Sequence, residues 1–285
     1  MFENLKEEEA RTYAVVLSAA GIEFDFIRGS RGWNLRVDSE DYERACKAIT
    51  SYLSENEGHH QKATAPPEAH QKTMAGVWAA LLLLLVHIFI TQTVGDRAFI
   101  VRYGASAQDI INGQYYRAVT ALMLHLDSVH LTGNMVGIAL FGTAVCAVTG
   151  WGVGGLIILM SGAAGNLLTA VFFQTDHLSI GASTAVFGAV GFLATAQFLK
   201  RYRAPGRRIR AWVPLGGGLA LLGILGTAPH ADLAAHLFGF GSGLVSGFFY
   251  GYFPKRPAST PYQIVCLLIA SGVLTVCWWA GAGGR

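Results

Sequence analysis

Long runs without a single charged side chain constrain this sequence more than any other feature. A helix needs roughly 20 apolar residues to cross the hydrocarbon core of a bilayer. Six uncharged runs reach that length, and the longest contains a Gly-Trp-Gly-Val-Gly-Gly break that divides it into two spans. The sequence therefore predicts seven transmembrane helices. The uncharged runs are residues 73–95, 128–175, 177–199, 211–231, 233–254 and 257–284.

The composition excludes an ordinary water-soluble protein. Charged residues make up 14% of the chain, whereas soluble domains have about 25%. Glycine is frequent, at 35 of 285 residues, which favours helices whose backbones approach closely in lipid. We therefore expect an all-α polytopic membrane bundle. The four cysteines form no Cys-x-x-Cys pair, so we expect free thiols, no metal site and no bound cofactor.

Basic residues predict the direction of the spans. Two loops, between spans four and five and between spans six and seven, carry the basic clusters, and such loops face the cytoplasm. Alternation then places the N-terminus in the cytoplasm and the C-terminus outside, in a multi-pass protein of the cell membrane, which we expect to be a bacterial inner membrane. Because the basic residues lie between apolar runs, we expect a lipid bilayer and no nucleic acid as partner. The clusters are Lys200, Arg201, Arg203, Arg207, Arg208 and Arg210, and Lys255 with Arg256.

The segment before the spans has the pattern of a small soluble domain. A helix over residues 5–20 is followed by two alternating strands, 23–28 and 33–37, and by a second helix that begins near Asp38 or Ser39. This predicts a cytoplasmic αββα domain whose role the sequence does not define. The predicted segments are the αββα domain over 1–54, a flexible linker over 55–72, a six-helix core over 73–252, and a cytoplasmic turn with an additional C-terminal helix over 253–285.

Four polar side chains stand out inside the predicted spans, where such groups are costly and indicate function. His130 and Asn134 lie in span two, Ser183 in span four and His236 in span six. At about 1.5 Å per residue, all four lie roughly 24 to 30 Å from the cytoplasmic end of their span. They therefore share one level near the outer leaflet, on three spans that run in the same direction.

A serine and a histidine at one level can act as a nucleophile and its base if their helices approach closely. Small residues repeat at helical spacing beside Ser183 and beside His236, and small faces allow such an approach. His130 and Asn134 are four residues apart and share a helix face, so both can donate to a developing oxyanion. The small residues are Gly181, Ala185 and Gly188 in span four, and Gly239, Gly243 and Gly247 in span six.

Each of these residues alone has a structural interpretation. A serine in a transmembrane helix usually bonds its own i−4 carbonyl, and an isolated histidine usually bonds a neighbouring helix. The conjunction of all four at one depth favours catalysis. A transporter is a weaker alternative, since it would show inverted repeats and broken helices at the midplane. The chain has neither a His-Glu-x-x-His zinc motif nor a pair of mid-span aspartates.

These residues together resemble the rhomboid intramembrane serine proteases. The resemblance spans roughly residues 76–252, in the six-plus-one variety of the family with seven transmembrane helices. Tyr116-Arg117 is similar to the Trp-Arg pair of the family's first external loop, and Thr184 stands where the family usually has glycine. The matching motifs are His125-x4-His130-x3-Asn134, Gly181-Ala182-Ser183 and Ala235-His236-x2-Gly239-x3-Gly243.

The resemblance implies a serine endopeptidase that cleaves single-span membrane proteins near the external face with a Ser183 and His236 dyad. It assigns the oxyanion hole to His130, Asn134 and the Ser183 backbone N–H. Gly181, Gly239 and His125 support the site, with His125 nearer the cavity mouth, and Asp232 has a loop-end role. The alternative is a catalytically silent relative that binds membrane clients. The sequence does not define the oligomeric state.

Overall fold

The chain divides into two units, Met1–Ala69 and His70–Arg285. The computed structural model describes residues 2–29, 32–60, 71–93, 96–175, 177–203, 208–225, 231–252 and 259–283. Most of the predicted linker and the basic pair Lys255 and Arg256 lie outside these residues.

The first unit is a three-stranded antiparallel sheet with two helices. Its sheet has the order β1-β3-β2, and the predicted strands β2 and β3 pair from Phe24 opposite Val37 to Arg28 opposite Trp33. Strand β1, which the sequence did not predict, joins the other edge of β3. Helix α2 continues into the segment predicted as linker. The elements are β1 Phe2–Leu5, α1 Glu7–Ala19, β2 Phe24–Arg28, β3 Trp33–Val37 and α2 Tyr42–His60.

The second unit is a helical bundle, which confirms the predicted fold class. Among the described residues, five helices are long and apolar enough to cross a membrane. They are α3 Ala75–Thr93, the composite helix Ser128–Thr149, α9 Trp151–Phe173, α13 Leu233–Tyr250 and α14 Thr260–Gly283.

Helices also occupy the other two predicted spans. Helix α10, Ser183–Arg203, ends in the basic residues Lys200, Arg201 and Arg203, and the described part of α12, Val213–Leu225, has 13 residues. A short helix, α11 Arg208–Ala211, precedes α12. The composite helix consists of α7 Ser128–Gly137, a π-helical turn Ile138–Gly142 and α8 Thr143–Thr149.

The segment between α3 and α7 is also ordered by short elements. The Arg117 guanidinium is buried and donates to the carbonyls of Val101 at 2.8 Å and Gly104 at 3.1 Å, and it pairs with the Asp109 carboxylate at 3.2 Å. The basic member of the predicted Tyr116-Arg117 pair therefore holds this loop together. The elements are α4 Asp96–Tyr103, β4 Ala105–Ser106, α5 Ala107–Ile111, α6 Arg117–Thr120 and a 3₁₀ turn Ala121–Met123.

The predicted break between spans two and three lies at Gly150, whose φ of +93° is left-handed and favours glycine. The side chain of Gln263 in α14 reaches this break. Its Oε1 accepts from the Gly152 N–H at 2.8 Å and the Val153 N–H at 3.0 Å, and its Nε2 donates to the Thr149 carbonyl at 3.1 Å. One buried amide therefore caps the start of α9 and the end of α8 together.

Replacing Gln263 with leucine should destabilise the bundle by about 2–4 kcal/mol, since it leaves buried backbone groups without these bonds. Thermal unfolding in detergent measures the change. Thr275→Val is the matched control on the same helix, because that exposed hydroxyl donates to the Ser271 carbonyl of its own helix. Equal Tm values for the two variants would contradict the capping role.

Candidate active site

Ser183 is the first residue of α10, and a glycine turn brings it there. The two-residue strand β5, Leu178–Ser179, pairs with β4, and Gly181 then turns the chain with a φ of +111°. The Gly181 N–H donates to the Ala121 carbonyl at 2.9 Å, which fixes the turn. As the opening residue of a helix, Ser183 has a backbone N–H with no intrahelical acceptor.

The structure brings the predicted serine and histidine together. The Ser183 Oγ lies 2.7 Å from the His236 Nε2, within hydrogen-bond distance. His236 lies in the first turns of α13 and is buried, and its ring lies against the Phe187 ring with centroids 4.7 Å apart. The distance between these two side chains depends on how closely α10 and α13 pack.

Helices α10 and α13 pack backbone against backbone through the predicted glycines. A Cβ atom placed on Gly239 would lie 2.2 Å from the Thr184 carbonyl oxygen, and one on Gly243 would lie 2.0 Å from the Gly188 carbonyl oxygen. No real Cβ atom fits at such distances. Because these positions have no side chains, α10 and α13 approach closely enough for Ser183 and His236 to form their contact.

Thr184, the departure from the family pattern, fits the same interface. A Cβ atom on Gly165 of α9 would lie 2.5 Å from the Thr184 Cγ2 methyl, and one on Gly239 would lie 3.0 Å from it. The methyl group therefore occupies the space that two facing glycines leave open. The threonine keeps the close packing because α9 also presents a glycine.

The His130 and Asn134 side chains lie against the turn that precedes Ser183. A Cβ atom on Gly181 would lie 2.6 Å from the His130 Nε2 and 3.4 Å from the Asn134 Nδ2. The Asn134 amide also donates to the His130 carbonyl at 3.0 Å, which orients it. Both nitrogen atoms therefore face the glycine two residues before the nucleophile candidate.

The sequence is similar to known proteins of one family. The family model of the Rhomboid domain matches residues 112–253, which include every residue of the candidate site. The chain belongs to the rhomboid family.

Several rhomboid relatives are similar over about half of the chain or more. RHOMBOID-like protein 1 of Arabidopsis thaliana is 32% identical over 57% of this chain and 46% of its own length. Rhomboid protease GluP of Bacillus subtilis is 28% identical over 74% of this chain and 40% of its own length. Inactive rhomboid protein 2 of Homo sapiens is 28% identical over 55% of this chain and 18% of its own length. The matched part of this rhomboid thus spans about half or less of these relatives.

His125 lies beside the residue that precedes Ser183. It is buried, and its Nε2 accepts a hydrogen bond from the Ala182 N–H at 3.4 Å. Burial, with repulsion from the charged forms of His130 and His87, lowers the pKa of His125 to about 3. The neutral ring therefore supports the Ser183 turn from beneath as an acceptor.

Asp232 has the loop-end position predicted for it, as the residue that caps α13. Its Oδ1 accepts from the Ala235 N–H at 3.0 Å. Two residues that the sequence did not predict also contact this carboxylate, His177 and Ser179. Both residues stand just before the Gly-Ala-Ser motif in the sequence. That position could have marked them as neighbours of the site, but the loop is too short to show a pattern that predicts their contacts.

Proposed function

We propose that this rhomboid is an intramembrane serine endopeptidase. The observation that carries the proposal is the 2.7 Å contact between the Ser183 Oγ and the His236 Nε2 beside the His130 and Asn134 side chains. A hydroxyl and an imidazole at that distance form a nucleophile with its general base. Since the serine and the histidine are both present, the silent client-binding alternative ranks second.

In the proposed reaction, the Ser183 oxygen attacks a peptide carbonyl while His236 takes the hydroxyl proton. His236 then gives that proton to the leaving amine. In the second step, His236 takes a proton from the water that attacks the acyl-enzyme, and it returns this proton to the Ser183 oxygen as the new carboxyl group leaves. The developing negative oxygen would accept hydrogen bonds from Asn134, His130 and the backbone N–H of Ser183. A neutral His130 donates when its Nε2 carries the hydrogen.

The proposed substrates are single-span membrane proteins, cleaved near the external face of a bilayer. A fully bonded helix hides its carbonyl groups from attack, so a susceptible substrate must unwind next to Ser183. The N-terminal cytoplasmic orientation, the external C-terminus and the bacterial inner membrane remain predictions from the basic clusters.

Covalent labelling tests the proposed nucleophile directly. A fluorophosphonate probe should label the purified protein, and peptide mapping should locate the adduct on Ser183. Ser242→Ala is the matched control, because the Ser242 hydroxyl donates to the carbonyl of Phe238 on its own helix, at 2.8 Å. Folded wild-type protein that stays unlabelled would overturn the proposal.

Asn134→Ala should lower kcat by about 10- to 1,000-fold and leave KM nearly unchanged, because an oxyanion donor acts on the transition state. Steady-state cleavage of a single-span reporter in proteoliposomes measures both constants. Thr132→Val serves as control, since that exposed hydroxyl on α7 bonds the Ser128 carbonyl. A change confined to KM would assign Asn134 to substrate binding instead.

A further inference from the structure

We propose that Asp232 is a positioning residue, which holds the Ser183 turn and the His236 helix in register through Ser179 and His177. The inference rests on the proposed function. Asp232 lies four residues before His236, and Ser179 lies four residues before Ser183. Their contact therefore joins the two segments just ahead of the two proposed catalytic side chains.

The Asp232 carboxylate uses its two oxygens for different segments. Its Oδ1 accepts from the Ala235 N–H of its own helix at 3.0 Å. Its Oδ2 accepts from the Ser179 hydroxyl and lies 2.8 Å from the His177 Nε2. The His177 and Asp232 side chains are 22% and 19% exposed, so water competes only partly for these bonds.

His177 is itself held from two other sides. Its ring stacks on the Phe173 ring of α9, with centroids 3.9 Å apart and planes 6° from parallel. Its carbonyl accepts from the Ala107 N–H at 2.8 Å, beside the pairing of β4 with β5. The carboxylate is therefore bonded to a loop that α9 and the α3–α7 segment both fix in place.

The relative position of the two helices matters for the proposed reaction. Contacts at Gly239 and Gly243 bring α10 and α13 close together, and Phe187 and Val190 of α10 pack in one apolar cluster with Phe240 of α13. A misplacement of about 1 Å can cost about 100-fold in rate. The polar bonds of Asp232 add directional contacts at the start of α13, next to the two side chains that must meet.

Asp232→Ser tests the register separately from the cap. Serine caps a helix about as well as aspartate, but its single short side-chain oxygen cannot also reach Ser179 and His177. We expect kcat for the single-span reporter to fall about 10- to 100-fold with KM within about twofold of wild type. His177→Phe keeps the stack on Phe173 and should lose about tenfold, whereas His177→Gln keeps a donor and should recover most of that loss.

A double-mutant cycle then tests the coupling. Ser179→Ala should lower kcat in the wild-type background and have little further effect in Asp232→Ser, because the two residues act through one contact. Ser242→Ala, on α13 but outside the contact, should leave kcat unchanged. An unchanged kcat in Asp232→Ser, or additive losses in the cycle, would overturn the positioning role.

Hydrogen exchange separates this inference from the proposed function. Asp232→Ser should speed amide exchange in residues 177–182, and Ser179→Ala should speed it in the first turn of α13, each in the segment that was not mutated. Unchanged exchange in the opposite segment overturns the inference whether or not the protein cleaves. Coupled exchange in a protein without Ser183-dependent cleavage would support the contact and reject the protease.

Discussion

Ser183→Ala and His236→Ala are each expected to lower kcat for a single-span substrate by about 10⁴- to 10⁶-fold, down to background hydrolysis. The double variant should be no worse than either single one, since a nucleophile and its base act as a unit. The physical reason is that Ser183 forms the new bond and His236 moves its proton, so neither step proceeds without the other. Reconstituted cleavage assays with product identification by mass spectrometry measure the loss.

The matched control for this pair is Ser161→Ala. Ser161 is a buried serine in α9, whose hydroxyl lies 3.4 Å from the Ser246 hydroxyl. It should retain cleavage at close to the wild-type rate. Cleavage by Ser183→Ala at an undiminished rate would reject the enzyme hypothesis and favour the client-binding alternative.

Gly239→Ala is expected to cost about 3 kcal/mol or more of stability and to abolish most cleavage. The new Cβ atom would lie 2.2 Å from the Thr184 carbonyl oxygen, which is backbone and cannot rotate away. Helix α13 would therefore move off α10, and the contact between Ser183 and His236 would open. Overpacking of this kind typically costs 1–3 kcal/mol, and more where backbone must move.

The same helix supplies the control for Gly239→Ala. A Cβ atom on Gly241 meets nothing within 4 Å, so Gly241→Ala should keep its Tm and activity and could gain slightly from helix propensity. Thermal unfolding and cleavage of both variants are measured side by side. Similar losses in both, or in neither, would show that backbone contact at Gly239 does not control the site.

Patterns within single helices explain what the sequence predicted well. The charge-free runs predicted the helical bundle, because every residue of a transmembrane helix must be compatible with a lipid environment. The small faces around Ser183 and His236 predicted their approach, since glycine spacing depends only on helix geometry. The pair His130 and Asn134 followed from the four-residue repeat in the same way.

Contacts between distant parts of the chain explain what the sequence did not predict. Gln263 is more than 100 residues from the groups it caps, and His177 is 55 residues from Asp232. No local pattern marks such partners. Strand β1 is short and is defined by its pairing with β3, and His125 bonds Ala182, which lies 57 residues further along the chain.

The capping of the Gly150 break by Gln263 has a consequence for biogenesis. Ribosomes release α8 and α9 well before α14, so during synthesis the amides of Gly152 and Val153 must find other partners, such as water or lipid headgroups. The hairpin of these two helices reaches its final bonding only when α14 inserts beside it. Maturation of the bundle is thus coupled to the arrival of a helix that contributes no side chain to the proposed chemistry.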